Sequence, residues 1–263
     1  VEQREDGSRV IRSIGELCDY PERITDRLDH WAEHTPDQLF VCQRPLSGAD
    51  HNHWQTLSYA ETRTQVRAIA QWLLDLRIDG EPLSQERPII ILSGNSSEHL
   101  LLALAAMYVG IPYAPISTAY STISTDFGKL RHIVDVLTPG LVFVDNLGPY
   151  RDAIDAVLPG LPVVSVISEH STDNLQGQLT AFETLQSTAA TSAVDQANQT
   201  VTASSIAKFL FTSGSTGMPK GILHGHRVLA SYRPSINLFF DLSLDDPDAV
   251  FWSPSDWAWV GGL

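Results

Sequence analysis

The stretch Lys208-Phe209-Leu210-Phe211-Thr212-Ser213-Gly214-Ser215-Thr216-Gly217-Met218-Pro219-Lys220-Gly221 decides how this chain is read. It opens inside the mostly apolar run Ile206 to Phe211, which suits a buried strand. The ten residues from Thr212 then hold three glycines, four hydroxyls, a proline and one lysine. Glycine permits positive φ and lets an anion approach the main chain. Successive peptide N–H groups in such a turn form a concave anion site. Thr212, Ser213, Ser215 and Thr216 add hydroxyl donors, and Lys220 adds a positive charge. A polyphosphate is the ligand this chemistry suits. The order is not the Walker pattern, because Pro219 separates the glycines from Lys220 and no Gly-Lys-Ser/Thr end follows. An ordinary surface loop explains most Gly/Ser-rich turns. It does not explain hydroxyls, glycines and a lysine concentrated directly after an apolar strand.

Thr212-Ser213-Gly214-Ser215-Thr216-Gly217-Met218-Pro219-Lys220-Gly221 resembles, at all ten positions, the phosphate-loop signature of the AMP-forming, adenylate-forming superfamily. The resemblance implies an acyl-CoA or aryl-CoA ligase using ATP, Mg²⁺ and CoA. Its chemistry is attack of a carboxylate on the α-phosphorus of ATP, then displacement of AMP by the CoA thiol. Lys220 and Thr212 take the catalytic positions. Thr212, Ser213, Gly214, Ser215, Thr216, Gly217 and Lys220 form the nucleotide cradle. The resemblance assigns no metal ligand to this stretch.

Further along, Trp252-Ser253-Pro254-Ser255-Asp256-Trp257-Ala258-Trp259-Val260-Gly261-Gly262 sets three indoles beside two glycines. An aromatic core explains this, and so does a flat slot for a planar or acyl group, since pockets are mostly apolar with a few polar anchors. The segment resembles the part of acyl-CoA synthetases that lines the acyl side. That places Trp257, Trp259 and Gly261 in the substrate pocket. Residues 90 to 145 resemble feruloyl-type aryl-CoA synthetases, notably at Ile91-Leu92-Ser93-Gly94-Asn95-Ser96 and Ser124-Thr125-Asp126-Phe127-Gly128-Lys129-Leu130. Beyond Lys220 the likeness shifts to general acyl-CoA synthetases.

Upstream, strand and helix patterns alternate. Ser58 followed by Glu61 is a capping box opening a helix that ends near Gly80. Pro88 to Leu92 predicts a buried strand, Leu100 to Val109 a buried helix, and Tyr113 to Ile116 the next strand. Asp126 to Leu137 predicts an amphipathic helix. His132 within it reads as a surface or core-edge histidine. Leu141 to Asp145, Tyr150 to Leu158 and Leu161 to Ile167 continue the alternation. This order predicts an α/β fold, a doubly wound, mostly parallel sheet with flanking helices. Near the start, Tyr20 to Trp31 predicts a surface helix and Phe40 to Cys42 a short strand. His51 and His53 read as part of a loop rather than as a metal-ligand pair. Gly94 lacks the other glycines of a dinucleotide fingerprint.

The predicted organisation is an extension over 1–55, a first α/β subdomain over 56–186, a Ser/Thr/Ala/Gln-rich linker over 187–205, and the start of a second subdomain over 206–263. Beyond Lys220, a strand is expected to lead to a helix near His226, whose pair with Arg227 matches the superfamily's His-Arg. An acidic loop over 243–248 and a strand at Val250 to Trp252 follow.

Lys and Arg number 17 against 31 Asp and Glu, a net charge of −14. This argues against nucleic acid and anionic membrane as general partners. It leaves room for a locally held anion. Cys18 and Cys42 make no disulfide framework, so a reducing cytoplasm fits. The longest apolar run, Leu100 to Ile111, falls short of the about 20 residues a membrane span needs. The superfamily's adenine, ribose and catalytic-lysine segments are absent. The expectation is therefore an N-terminal fragment whose partners are a small carboxylic acid, ATP, CoA and the missing C-terminal portion. Two rival readings are an adenylation domain loading a carrier protein and a noncatalytic nucleotide-binding fragment.

Overall fold

A computed structural model describes residues 2–11, 20–46, 53–168, 175–212, 217–228 and 249–259. In chain order the elements are β1 (Glu2–Gln3), β2 (Arg9–Val10), α1 (Asp26–His34), β3 (Leu39–Gln43), β4 (Gln55–Ser58), α2 (Tyr59–Asp75), β5 (Ile89–Ile91), α3 (Ser97–Tyr108) and β6 (Tyr113–Pro115). They continue with α4 (Ala119–Thr122), α5 (Gly128–Leu137), β7 (Leu141–Asn146), α6 (Leu147–Val157), β8 (Val163–Ile167), β9 (Leu179–Ala181), α7 (Phe182–Gln186), α8 (Ser192–Thr200), β10 (Ile206–Thr212) and β11 (Lys220–Gly225).

The main sheet has the order β11-β10-β6-β5-β7-β8-β9. Every neighbouring pair is parallel except β10 with β11. The chain steps from β5 to β6 on one side, then crosses back over β5 to reach β7 on the other. That reversal sends α3 to one face of the sheet and α5 and α6 to the other, giving the expected doubly wound α/β architecture.

The sequence enforces this through a two-residue period across two buried faces. Ile89 and Ile91 of β5, with Leu141 and Phe143 of β7, pack in the core shared with α2 and α3. Ile90 and Leu92, with Val142 and Val144, join Leu130 and Ile133 of α5 and Ile154 of α6. Helix α3 is buried nearly all round, as a helix enclosed between sheet and helices must be.

Helix boundaries follow side-chain chemistry. The Ser58 Oγ accepts from Glu61 N at 3.2 Å, and Glu61 Oε2 accepts from Ser58 N at 2.7 Å, completing the box that starts α2. Helix α5 starts two residues later than its pattern predicts. Phe127 has a left-handed φ of 52°, and the Asp126 carboxylate accepts from Gly128 N at 3.1 Å. At the far end of β11, His226 is fully buried and its Nδ1 accepts from Ile24 N at 3.1 Å. This joins the N-terminal region to the last strand of the sheet.

Three expectations need correction. The stretch 187–205 contains α8, which docks on α2 through buried Val194 and the Arg67–Asp195 ion pair. Asn198 of α8 also donates to the Tyr108 carbonyl at 2.9 Å. One valine and an asparagine one turn apart give too little apolar periodicity to stand out in the sequence. Moreover, β10 and β11 extend the same sheet as β5 to β9. The strand expected at Val250 to Trp252 is irregular chain, with all three side chains exposed. His51, the acidic 243–248 loop and all but the start of the helix expected near His226 lie outside the described residues. No helix among those residues is long and apolar enough to cross a membrane.

Phe143 is fully buried and meets Phe182 at a ring-centroid distance of 5.7 Å. Phe143→Ala should cost about 3–5 kcal/mol, against about 1 kcal/mol for removing the α2 cap in Ser58→Ala. Urea midpoints for the two variants will measure the difference.

Candidate functional site at the carboxyl edge of the sheet

Because β5 to β10 run in parallel, their carboxyl ends share one edge of the sheet. Ser93, Gly94 and Asn95 follow β5, Ile116 and Ser117 follow β6, and Thr212 ends β10. In open α/β sheets ligands bind outside these ends, where the winding reverses. The glycine- and hydroxyl-rich stretch therefore leaves β10 at Thr212 on the edge where the fold makes a crevice.

Thr212 and Lys220 are Cα partners in the antiparallel register of β10 and β11. The intervening loop is thus closed at its base by a strand pair, with an exposed hydroxyl residue beside an exposed lysine. Among the described residues Lys220 makes no ion pair. Gly217 lies in the described part of the loop, and a Cβ placed on it would meet nothing within 4 Å. Ser213, Gly214, Ser215 and Thr216 lie outside the described residues. At the loop's trailing end, His132 Nε2 donates to the Pro219 carbonyl at 3.0 Å. A carbonyl can only accept, so this bond requires a proton on Nε2. The histidine expected at the rim of a helix thus holds the last turn of the loop against α5.

Lys208, on β10, lies opposite His224 of β11. Burial pushes its ammonium down to about 8. The His224 imidazole is lowered by its own burial and by that neighbouring charge. Next to the loop is a cleft of about 440 Å³ lined by Tyr120, Ile123, Ser124, Asp126, Lys129 and Met218. A second, polar cavity of about 320 Å³ joins α1, α2, α3 and α8. Its Arg63 pairs with Asp29 and Glu33, and Arg67 pairs with Asp195.

Trp257 is half-buried on the same edge. The Asn95 Nδ2 donates to the Ser255 carbonyl at 2.8 Å, and Trp257 N donates to Asn95 Oδ1 at 2.9 Å. The His99 ring meets the Trp257 ring edge-on at 5.0 Å. His99 is buried, its Nδ1 lies 3.0 Å from the Gly94 carbonyl, and burial pushes its pKa down to about 4. The neutral ring therefore carries its proton on Nδ1. Trp259 is exposed, and Gly261 lies outside the described residues. Neither tryptophan lines either cavity. Only β6 stands between β5 and β10, so the two strand ends are roughly 10 Å apart at about 4.8 Å per strand spacing. The end of β10 at Thr212 and the Trp257 held by Asn95 thus share one edge of the sheet.

Asn95, His99 and the His132–Pro219 bond were not evident from the sequence. Each makes a contact at least 87 residues away, beyond the reach of any local pattern.

The model of the AMP-binding enzyme family matches residues 28–263. The chain belongs to the AMP-binding enzyme family.

Within that family it is 25% identical over 229 residues to the malpinin synthetase of Mortierella alpina, covering 82% of this chain and 2% of that one. It is 46% identical over 56 residues to the acetyl-coenzyme A synthetase of Xanthomonas oryzae pv. oryzae, covering 20% of this chain and 8% of that one. The fold is similar to that of the A-PCP didomain of a carboxylic acid reductase from Segniliparus rugosus, solved in complex with AMP. That match has a TM-score of 0.61 at 17% identity and covers 81% of this chain and 33% of that one. The chain thus spans a small part of these curated relatives and a third of the solved chain.

The depressed His99 pKa fixes a sign. The folded state resists a proton that the unfolded chain accepts near 6.5, so stability is lost as pH falls from about 6.5 towards 4. Raised carboxyls at Asp29 and Asp145, both set chiefly by burial, act in the opposite sense. The difference between wild type and His99→Gln isolates the imidazole. Urea midpoints should fall less steeply in the variant across that interval.

Proposed function

We propose that the complete protein activates a carboxylic acid with ATP. The acid oxygen bonds to the α-phosphorus, pyrophosphate leaves, and the acyl-adenylate then passes its acyl group to the thiol of CoA with release of AMP. The observation that carries this reading is the pairing of Thr212 with Lys220 at the base of a glycine- and hydroxyl-rich loop, on the sheet edge where ligands bind.

Lys220 neutralises charge developing on the departing pyrophosphate. Thr212 and the loop N–H groups, with Ser213, Ser215 and Thr216, donate hydrogen bonds to its oxygens. Such donors stabilise the transition state most when they are fixed before the reaction begins. The strand pair below the loop and the His132 bond above it supply that fixity. Trp257, Trp259 and Gly261 form the acid side, and the partners are the acid, ATP and CoA. The aryl-CoA likeness of residues 90–145 points to an aromatic acid, and the general acyl-CoA likeness beyond Lys220 to an aliphatic one. Residues 206–263 open the portion that carries the nucleotide end.

Magnesium commonly accompanies ATP. Among the described residues no group of three or more His, Cys, Asp or Glu side chains could hold the ion. No step here is assigned to the ion.

A second reading replaces CoA with a carrier-protein thiol. It is favoured by the nonribosomal synthetases among the relatives, such as the bassianolide synthetase of Beauveria bassiana, whose match covers 88% of this chain. Competition between free CoA and a holo-carrier for a preformed adenylate separates the two.

Acid-dependent ATP–pyrophosphate exchange by the complete protein tests the first step. Lys220→Met should lower it by roughly 10²–10³-fold, the loss typical of one preorganised donor. Wild-type exchange in that variant would refute the role given to Lys220.

A further inference from the structure

We propose that Asn95 is a positioning residue for the acid-binding side, fixing Trp257 over the carboxyl end of β5 and so setting selectivity for the acid. This rests on the reading of the tryptophan segment as a wall of the acid site. The argument itself begins from hydrogen bonds. One side-chain amide donates to the Ser255 carbonyl at 2.8 Å and accepts from Trp257 N at 2.9 Å. It thereby gives residues i and i+2 the donor–acceptor pair that a neighbouring strand would supply. The two bonds together require the oxygen to face Trp257 and the nitrogen to face Ser255.

Those bonds matter because residues 249–259 form no helix or strand. The segment is turned locally by Asp256, whose Oδ1 accepts from Ala258 N at 2.9 Å and whose carbonyl accepts from Trp259 N at 3.0 Å. Such local turns shape the segment without attaching it to the sheet. Asn95 attaches it there, across 160 residues to Ser255 and 162 to Trp257. The same βα turn supplies the aromatic contact. His99 stands in the first turn of α3, its Nδ1 held by the Gly94 carbonyl, and its ring meets the indole at an interplanar angle of 77°. Trp257 is therefore oriented by a backbone clamp at one point and a buried ring at another. An indole fixed in this way presents one shape to an incoming acid. When the clamp is released it presents several, and the slot admits competing acids.

A purely structural asparagine would affect nucleotide and acid alike, whereas a positioning residue separates them. Asn95→Asp keeps the volume and the acceptor towards Trp257 N but sets an acceptor against the Ser255 carbonyl. Asn95→Leu removes both bonds. In the complete protein, pyrophosphate exchange should show KM for the acid raised roughly tenfold in either variant, as expected for a lost hydrogen bond and its local consequences. KM for ATP should stay within about twofold on the same argument. Independently, the Trp257 emission, obtained by subtracting Trp257→Phe spectra, should shift to the red and become more quenchable by acrylamide.

Equal rises in both KM values, or an unchanged Trp257 emission in both variants, would overturn the proposal. Should Asn95→Leu fail to fold, Asn95→Asp gives the same readouts. Absence of acid-dependent exchange in the wild type would overturn the underlying ligase reading, and with it the selectivity role. That outcome is distinct because it arises before any variant is compared.

Discussion

Burial of β5 on both faces is the constraint from which the site follows. Ile89 and Ile91 face α2 and α3, while Ile90 faces α5 and α6, and all three are fully buried. A strand enclosed in this way cannot be an edge or face water. The chain must leave it in one direction and return on the other side. The reversal between β6 and β7 opens the crevice at their carboxyl ends, and β10, added beyond β6, delivers its loop to the same edge.

Electrostatics works on a shorter scale. A chain with a net charge of −14 repels a nucleotide polyphosphate at long range. At physiological salt that repulsion fades beyond about 8 Å. In the proposed function, binding comes from groups within contact distance: the loop N–H groups, the hydroxyls and Lys220. The position of these groups matters more than their number. The antiparallel pair β10–β11 holds one end of the arrangement, and His132 holds the other through the carbonyl of Pro219.

Much of this was legible in the sequence. The Ser58–Glu61 box and the apolar runs of β5, β7 and β10 carry local signals strong enough to read without coordinates. Local signal also explains what was missed. Helix α8 rests on few apolar side chains, and its hold on the protein comes from Arg67–Asp195 and Asn198–Tyr108, which join distant segments. Val250 to Trp252 looks like a strand because it is apolar, but a strand also needs a partner in register, which composition cannot reveal. At the site, Thr212 and Lys220 could be singled out from the loop alone. Asn95 could not, since one asparagine in a turn resembles any other until Ser255 and Trp257 are brought to it.

The central claim is that the turn following β10 grips the phosphate end of a nucleotide with its backbone. Hydrogen–deuterium exchange on the complete protein, with and without ATP, tests this most directly. The amides of Thr212 to Lys220 should be slowed on ATP addition, while those of α7 and α8, remote from the edge, keep their rates. Saturating ATP that leaves the amides of this turn unprotected while slowing exchange elsewhere would contradict the account.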